Sequence, residues 1–150
     1  MEKFNAYRIF NEAGKTRSRF VEMSVDELDP GEVVIRSAFS SVNYKDALAA
    51  TGAGKIIRRF PCVGGIDVAG AVAASTDPRF KEGDSVICTS YDMGVSHDGG
   101  FAGYARAPAG WVVPMPKGMT PFDAMAIGSA GYAAALGIDI IEQNGLAPAA

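Results

Sequence analysis

The densest run of groups able to do chemistry is Ser40-Ser41-Val42-Asn43-Tyr44-Lys45-Asp46. A strand pattern with Val33, Ile35 and Phe39 at odd positions runs into it, and the helix formers Ala47-Leu48-Ala49-Ala50 leave it, stopped by Gly52. Strand, polar corner, short helix and glycine stop often place a site at the end of a sheet. The same spacing also reads as a capped loop, with Asn43 capping the helix and Asp46 at its third position, where the positive helix end favours a carboxylate. Spacing alone leaves both readings open.

Other reactive groups are scattered. Lys55, Arg58 and Arg59 lie on an irregular segment before Pro61 and read either as contacts to substrate phosphates or as a solvated basic loop. Gly52-Ala53-Gly54-Lys55 is not a phosphate loop, because Ala49 stands at the first glycine position and Ile56 at the hydroxyl position. Asp67 lies beside apolar residues, so partial burial and a partner are expected, either an arginine or backbone N–H groups. His97, in a polar loop over residues 91–100, is either a general acid or substrate contact, or a hydrogen-bonded loop residue. Two cysteines, Cys62 and Cys88, and one histidine fall short of a Cys/His zinc site, and the cysteines read as buried thiols.

The elements that must position these groups are short. Residues 5–10 and 19–25 read as hairpin strands with Phe20 inward, and Asp29-Pro30-Gly31-Glu32 is a turn into a strand over 32–39. Gly64-Gly65 leads into a strand through 71–74, and further strands are predicted over 85–89, 101–108 and 111–113. Seven or so short strands with glycine turns predict a small barrel or sandwich. Thr120, Pro121 and Asp123 then open a helix over 124–127. Gly128-Ser129-Ala130-Gly131 breaks it, and a second helix over 132–141, apolar on most sides, stops at Asn144-Gly145. The fold class is mainly β with short helices, α+β.

The chain has 150 residues, one ordinary domain. A net charge of −3 with interspersed signs provides no basic stripe for nucleic acid and no polybasic run for an anionic membrane. The N-terminus lacks the apolar core of a signal peptide, and nothing approaches the roughly 20 apolar residues of a membrane span. A soluble, cytoplasmic protein is expected.

The order of several segments resembles the N-terminal part of the medium-chain dehydrogenase/reductase superfamily, in its zinc-free, quinone-oxidoreductase-like branch and closest to the acrylyl-CoA reductases. The segments are 40–48, Gly54-Lys55-Ile56-Ile57-Arg58, Pro61 with Gly65-Ile66-Asp67, Asp77-Pro78-Arg79-Phe80, and Gly128-Ser129-Ala130-Gly131-Tyr132. The resemblance implies a GroES-like, partly open β-barrel catalytic domain over residues 1–119. A helical connector over 120–150 would lead to a Rossmann domain for NADPH, whose glycine-rich turn is expected just after Gly145 and is missing from the chain. In zinc relatives a cysteine matches Asn43 and a His-Glu pair matches Ile66-Asp67, so no metal is expected here. By the same resemblance Asn43, Tyr44 and Asp46 are catalytic candidates, with Asn43, Tyr44 and Gly131 against the cofactor. Lys55, Arg58 and His97 are candidate contacts for an acyl-CoA thioester or a quinone. Two roles stay open: the catalytic part of a reductase, inactive alone, or a stand-alone GroES-like module that dimerises through an exposed edge or helix.

Overall fold

The computed structural model describes residues 3–145. In chain order the described elements are β1 (Phe4–Glu12), β2 (Lys15–Met23), β3 (Val33–Phe39), α1 (Tyr44–Thr51), β4 (Cys62–Val63), β5 (Asp67–Ser75), β6 (Ser85–Thr89), β7 (Tyr104–Ala107), β8 (Val112–Pro114) and α2 (Pro121–Gln143). They form two antiparallel sheets, ordered β2-β1-β4 and β7-β3-β5-β6-β8. Segment 99–103 stitches the sheets together: the Tyr7 N–H donates to the Phe101 carbonyl at 2.8 Å, and the Ser37 N–H to the Gly103 carbonyl at 3.0 Å. Only a glycine fits at position 100, where a Cβ would lie 2.2 Å from the Asp67 carbonyl oxygen. The arrangement is the expected α+β, barrel-like domain.

Alternation along the strands builds the core. Val33 and Ile35 of β3 meet Val68 and Val72 of β5 and Val86 and Cys88 of β6. Each buried aliphatic side chain of this kind contributes about 1.5–3 kcal/mol. A smaller cluster, Phe4, Ala6, Met23, Leu28 and Val63, sits under the first sheet.

Several expectations need correction. Phe20 points outward, because Met23, and with it Val21, takes the core face of β2; Phe20 packs instead on the edge of Tyr7 at 5.3 Å. The inward period of β3 does not reach Phe39, since a register shift between Ser37 and Phe39 turns that ring out against Phe122 at 5.6 Å. Strand β4 was not foreseen. The loop over 91–100 is not a polar surface loop: Met93, Val95 and Asp98 are buried.

The two helices predicted after Thr120 are present as the two halves of α2, which meet at a kink where Gly128 takes the non-helical φ 51° and ψ −164°; the break is confined to Gly128, and the second helix starts at Ser129 rather than Tyr132. Pro121–Gln143, counted across the kink, is long and apolar enough by length and composition to cross a membrane, contrary to the expectation that no segment approaches this. Its first half is seated on the domain, with Ala124 and Met125 packed with Ala69 of β5. Beyond Gly128 the apolar side chains of Tyr132, Leu136, Ile138 and Ile140 are exposed. Residues 146–150 of the expected connector, and the ground on which a Rossmann turn was looked for, lie outside the described residues.

Candidate functional site

Three elements converge on Asp67, the first residue of β5. Ser41 and Asn43 arrive on the corner between β3 and α1, and Ser129 arrives on α2 just after its kink. The Asp67 side chain is fully buried. Its Oδ1 accepts the Ser129 hydroxyl at 2.6 Å. Its Oδ2 accepts the Ser129 N–H at 3.0 Å, the Asn43 Nδ2 at 2.8 Å and the Ser41 hydroxyl. The arginine considered as a partner is not used. Hydroxyls, an amide and one backbone N–H satisfy the acid instead.

Asp46 is the second buried acid. It stands at the third position of α1, and its Oδ2 accepts the N–H of Asn43 at 2.8 Å. Its Oδ1 accepts the N–H of Ile66 at 3.1 Å, tying the helix start to the residue before Asp67. Burial pushes its carboxyl above the ordinary 3.8; hydrogen bonds from Asn43 and Ile66 pull the other way, and the charge of Asp67 adds to the rise. Asn43 therefore stands between two acids. Its side-chain nitrogen makes a good bond to Asp67 and has only longer contacts, 3.3 Å to Ser41 Oγ and 3.4 Å to Asp46 Oδ2.

The kink in α2 makes this meeting possible. A Cβ at position 128 would lie 2.7 Å from Ser41 Oγ and 3.0 Å from Asp67 Oδ2, and the local φ/ψ is glycine territory. Ser90, just past β6, is held in the left-handed region at φ 63°, with its N–H on the Ile66 carbonyl at 2.8 Å. Its hydroxyl lies 2.6 Å from that of Ser129. Ser129 spends its one hydroxyl hydrogen on Asp67, so Ser90 is the donor.

The remaining candidates stand apart. Tyr44 follows Asn43 and is 80 % exposed. Lys55 is exposed, and Arg58 is an exposed cation 3.9 Å from Asp92 whose N–H donates to the Val95 carbonyl. His97 has Nε2 at 3.0 Å from the Pro30 carbonyl and Nδ1 at 3.1 Å from that of Asp98, and its ring meets Trp111 edge-on at 5.1 Å. With one N–H the neutral ring donates to one of these two carbonyls. Gly131 is half-buried on α2. Among the described residues, Lys55, Arg58 and His97 have no hydrogen bond or ion pair to the Asn43–Asp46–Asp67 cluster. Beside the cluster runs a groove of about 510 Å³ that shares Ser90 and Gly128 with it and is walled by Tyr91, Trp111, Ile127 and Tyr132. Both thiols are inert: burial first, then Asp98 for Cys62 and Asp67 for Cys88, pushes each up to about 12.

Sequence reasoning put Asn43 and Asp46 in the site and missed Ser41, Ser90 and Ser129. The signal for Ser129 in the sequence is Gly128-Ser129-Ala130-Gly131, a pattern that by itself marks only a helix break.

Comparison with known proteins places this geometry in context. Residues 29–117 match the family model for the alcohol dehydrogenase GroES-like domain. Acrylyl-CoA reductase AcuI of Ruegeria pomeroyi is 42 % identical over 137 residues, covering 91 % of this chain and 42 % of the relative. YhfP of Bacillus subtilis (strain 168), which carries a quinone-oxidoreductase name, is 49 % identical over 126 residues, covering 84 % of this chain and 38 % of the relative. Among solved structures, the yhdH oxidoreductase of Salmonella enterica in complex with NADP superimposes with a TM-score of 0.93 at 43 % identity, over 96 % of this chain and 44 % of that one. The chain thus spans about two fifths of the length of the relatives it matches.

Proposed function

The chain belongs to the alcohol dehydrogenase GroES-like family within the medium-chain dehydrogenase/reductases, and from that premise we propose that it is the catalytic part of an NADPH-dependent oxidoreductase that reduces the activated C=C bond of a 2-enoyl-CoA thioester such as acrylyl-CoA. In this reading residues 1–119 are the catalytic unit, residues 120–150 connect it to a nucleotide-binding half, and the protein is cytoplasmic. The observation that carries the reading is the Asn43 amide, held by Asp67 at the surface end of a buried acid pair and followed by the exposed ring of Tyr44.

The donor set does not suit a divalent metal. Both oxygens of Asp67 already accept from N–H or O–H groups, Asn43 turns its amide nitrogen to the acids, and among the described residues no three His, Cys, Asp or Glu side chains converge. We therefore assign a zinc-independent reaction. By the family resemblance, Tyr44, with its ring exposed beside Asn43, and Gly131 on α2 would hold the nicotinamide end of a dinucleotide together with Asn43. When bound, NADPH supplies the hydride.

The chain's own groups then have modest tasks. A thioester conjugated to C=C accepts hydride at its β-carbon, its electron pair moves to the thioester oxygen, and a proton is added at the α-carbon. Asn43 has one amide hydrogen on Asp67 and another with only the 3.3 and 3.4 Å contacts, and we assign the latter to the developing enolate oxygen. Asp46 orients Asn43 through its N–H. Lys55 and Arg58, both exposed, are the candidates for the CoA phosphates. The 49 % identity to YhfP favours a quinone as the second reading.

The test joins this chain to the nucleotide-binding half of a relative and assays acrylyl-CoA and a quinone with NADPH. The expected result is turnover of acrylyl-CoA at a kcat/KM at least about tenfold that of the quinone, falling about 10²-fold in Asn43→Ala. A preference for the quinone selects the second reading. Absence of hydride transfer to either overturns both.

A further inference from the structure

We propose that Ser129 is a positioning residue: its hydroxyl and its N–H grip the two oxygens of Asp67 as a fork, and the gripped carboxylate sets the orientation of the Asn43 amide. The inference rests on the proposed function only for what the positioning serves; the coupling itself involves no substrate.

The donors on Asp67 are divided unevenly. Oδ2 receives Ser41, Asn43 and the Ser129 N–H, whereas Oδ1 receives the Ser129 hydroxyl. A buried carboxylate oxygen without a donor is costly. Deprived of that hydroxyl, the carboxylate gains by turning about its last torsion so that Oδ1 shares the donors on the other side, which carries Oδ2 away from Asn43. With both Ser129 bonds in place the torsion is fixed from two directions.

Two further features hold the fork in place. Gly128 sets the backbone so that the second half of α2 starts with the Ser129 N–H aimed at the acid. Behind it, the hydroxyl of Ser90 donates to Ser129 Oγ at 2.6 Å, and the N–H of Ser90 is anchored on the Ile66 carbonyl. The line Ser90–Ser129–Asp67–Asn43 thus runs from the exposed end of β6 to the corner before α1, joining residues far apart in sequence.

The coupling is read on the chain itself, in the ¹⁵N–¹H resonances of the Asn43 side-chain amide, identified by their loss in Asn43→Ser. Ser129→Ala should shift these resonances and speed their exchange with solvent roughly tenfold, the scale of one lost hydrogen bond. Backbone amides of β3 and β5 should keep their positions. Ser129→Thr, which retains the hydroxyl, should restore the wild-type signal. Unmoved Asn43 resonances in folded Ser129→Ala, or a threonine variant no better than the alanine one, overturns the proposal. Should Ser129→Ala not fold, Ser90→Ala removes only the exposed outer hydroxyl. It should shift the Asn43 signal in the same direction by less, and no shift there also overturns the proposal. In the joined enzyme, Ser129→Ala should lower kcat with KM kept. If the Asn43 signal moves while kcat does not, the role given to Asn43 in catalysis fails and the positioning stands.

Discussion

Two pairs of acids lie inside this domain, buried Asp98 with part-buried Asp29, and Asp46 with Asp67, both buried, and their partners differ. Asp29 and Asp98 share a cation: the Arg59 guanidinium bonds to Asp29 and lies 3.9 Å from Asp98. Asp98 accepts the N–H of Val63 at 2.7 Å and that of Asp29 at 3.1 Å, so the pair clamps three segments of chain together. Among the described residues, Asp46 and Asp67 have no cation as partner, only hydroxyls, amide N–H groups and the Asn43 side chain. A buried acid without a counter-charge is expensive, and one kept beside an exposed aromatic at a strand end marks a candidate functional site. The first pair is fastening, and the second carries the candidate chemistry.

The same substitution made in each pair separates them most sharply. Asp98→Asn turns an NH₂ toward backbone N–H groups and a guanidinium, none of which can accept a hydrogen bond, so the loss should be about 3 kcal/mol in urea unfolding. Asp67→Asn meets the hydroxyls of Ser41 and Ser129, which can rotate to become acceptors, and should cost about 1 kcal/mol. Equal losses at the two sites would break the contrast. The next effect in size is that of Gly128→Ala, about 2 kcal/mol, from a φ of 51° with ψ −164° and a Cβ within 2.7 Å of Ser41 Oγ. Because that methyl group presses on the donors of Asp67, the Asn43 side-chain resonances should move as well. Loss of stability with an unmoved Asn43 would place the kink in the scaffold alone.

What the sequence disclosed about these pairs follows from distance along the chain. The corner at Asn43 was legible because its signals are local: a cap, an acid at the third helical position and a stop at Gly52, whose φ is 73°. The family's motif order disclosed the GroES-like fold and its α+β class. The union of Asp67 with Ser129 spans 62 positions, and nothing local announces it. Gly128-Ser129-Ala130-Gly131 reads as a break by helix propensity, and the break is there at Gly128, but propensity does not show that the second helix begins at Ser129 with its N–H on Asp67. Phe39 failed for a related reason: a bulge in β3 shifts the period, and bulges leave no mark on an alternating pattern. Arg59 looked like one of three interchangeable loop cations, and only the tertiary structure distinguishes it as the partner of Asp29.

The smallest expected effect is one of pH, and a pair of helix starts isolates it. Asp46 in α1 and Asp123 in α2 occupy the same third position, and each accepts from the residue that caps its helix. Asp123 is exposed, and its bonds from Thr120 hold its carboxyl below the ordinary 3.8. Asp46 has comparable bonds but is buried, and burial prevails, raising it above 3.8. The signs of their contributions to stability are therefore opposite. The folded chain releases the Asp123 proton more readily than the unfolded one, so that acid stabilises above 3.8 and its contribution is lost as pH falls below it. The folded chain holds the Asp46 proton to a higher pH than the unfolded chain does, so stability declines as pH rises from 3.8 through the raised value. Asp77, drawn down to about 2 by its hydrogen bond from Arg79, acts with the sign of Asp123 and cancels when wild type and variant are compared. Urea unfolding from pH 4 upward should thus show wild-type stability falling relative to Asp46→Asn as pH rises, whereas the corresponding difference for Asp123→Asn should rise up to about pH 5 and be level above it. A rise for Asp46 over the same window would make it a helix cap like Asp123, and the second acid pair would then lose the uncompensated charge that distinguishes it from the first.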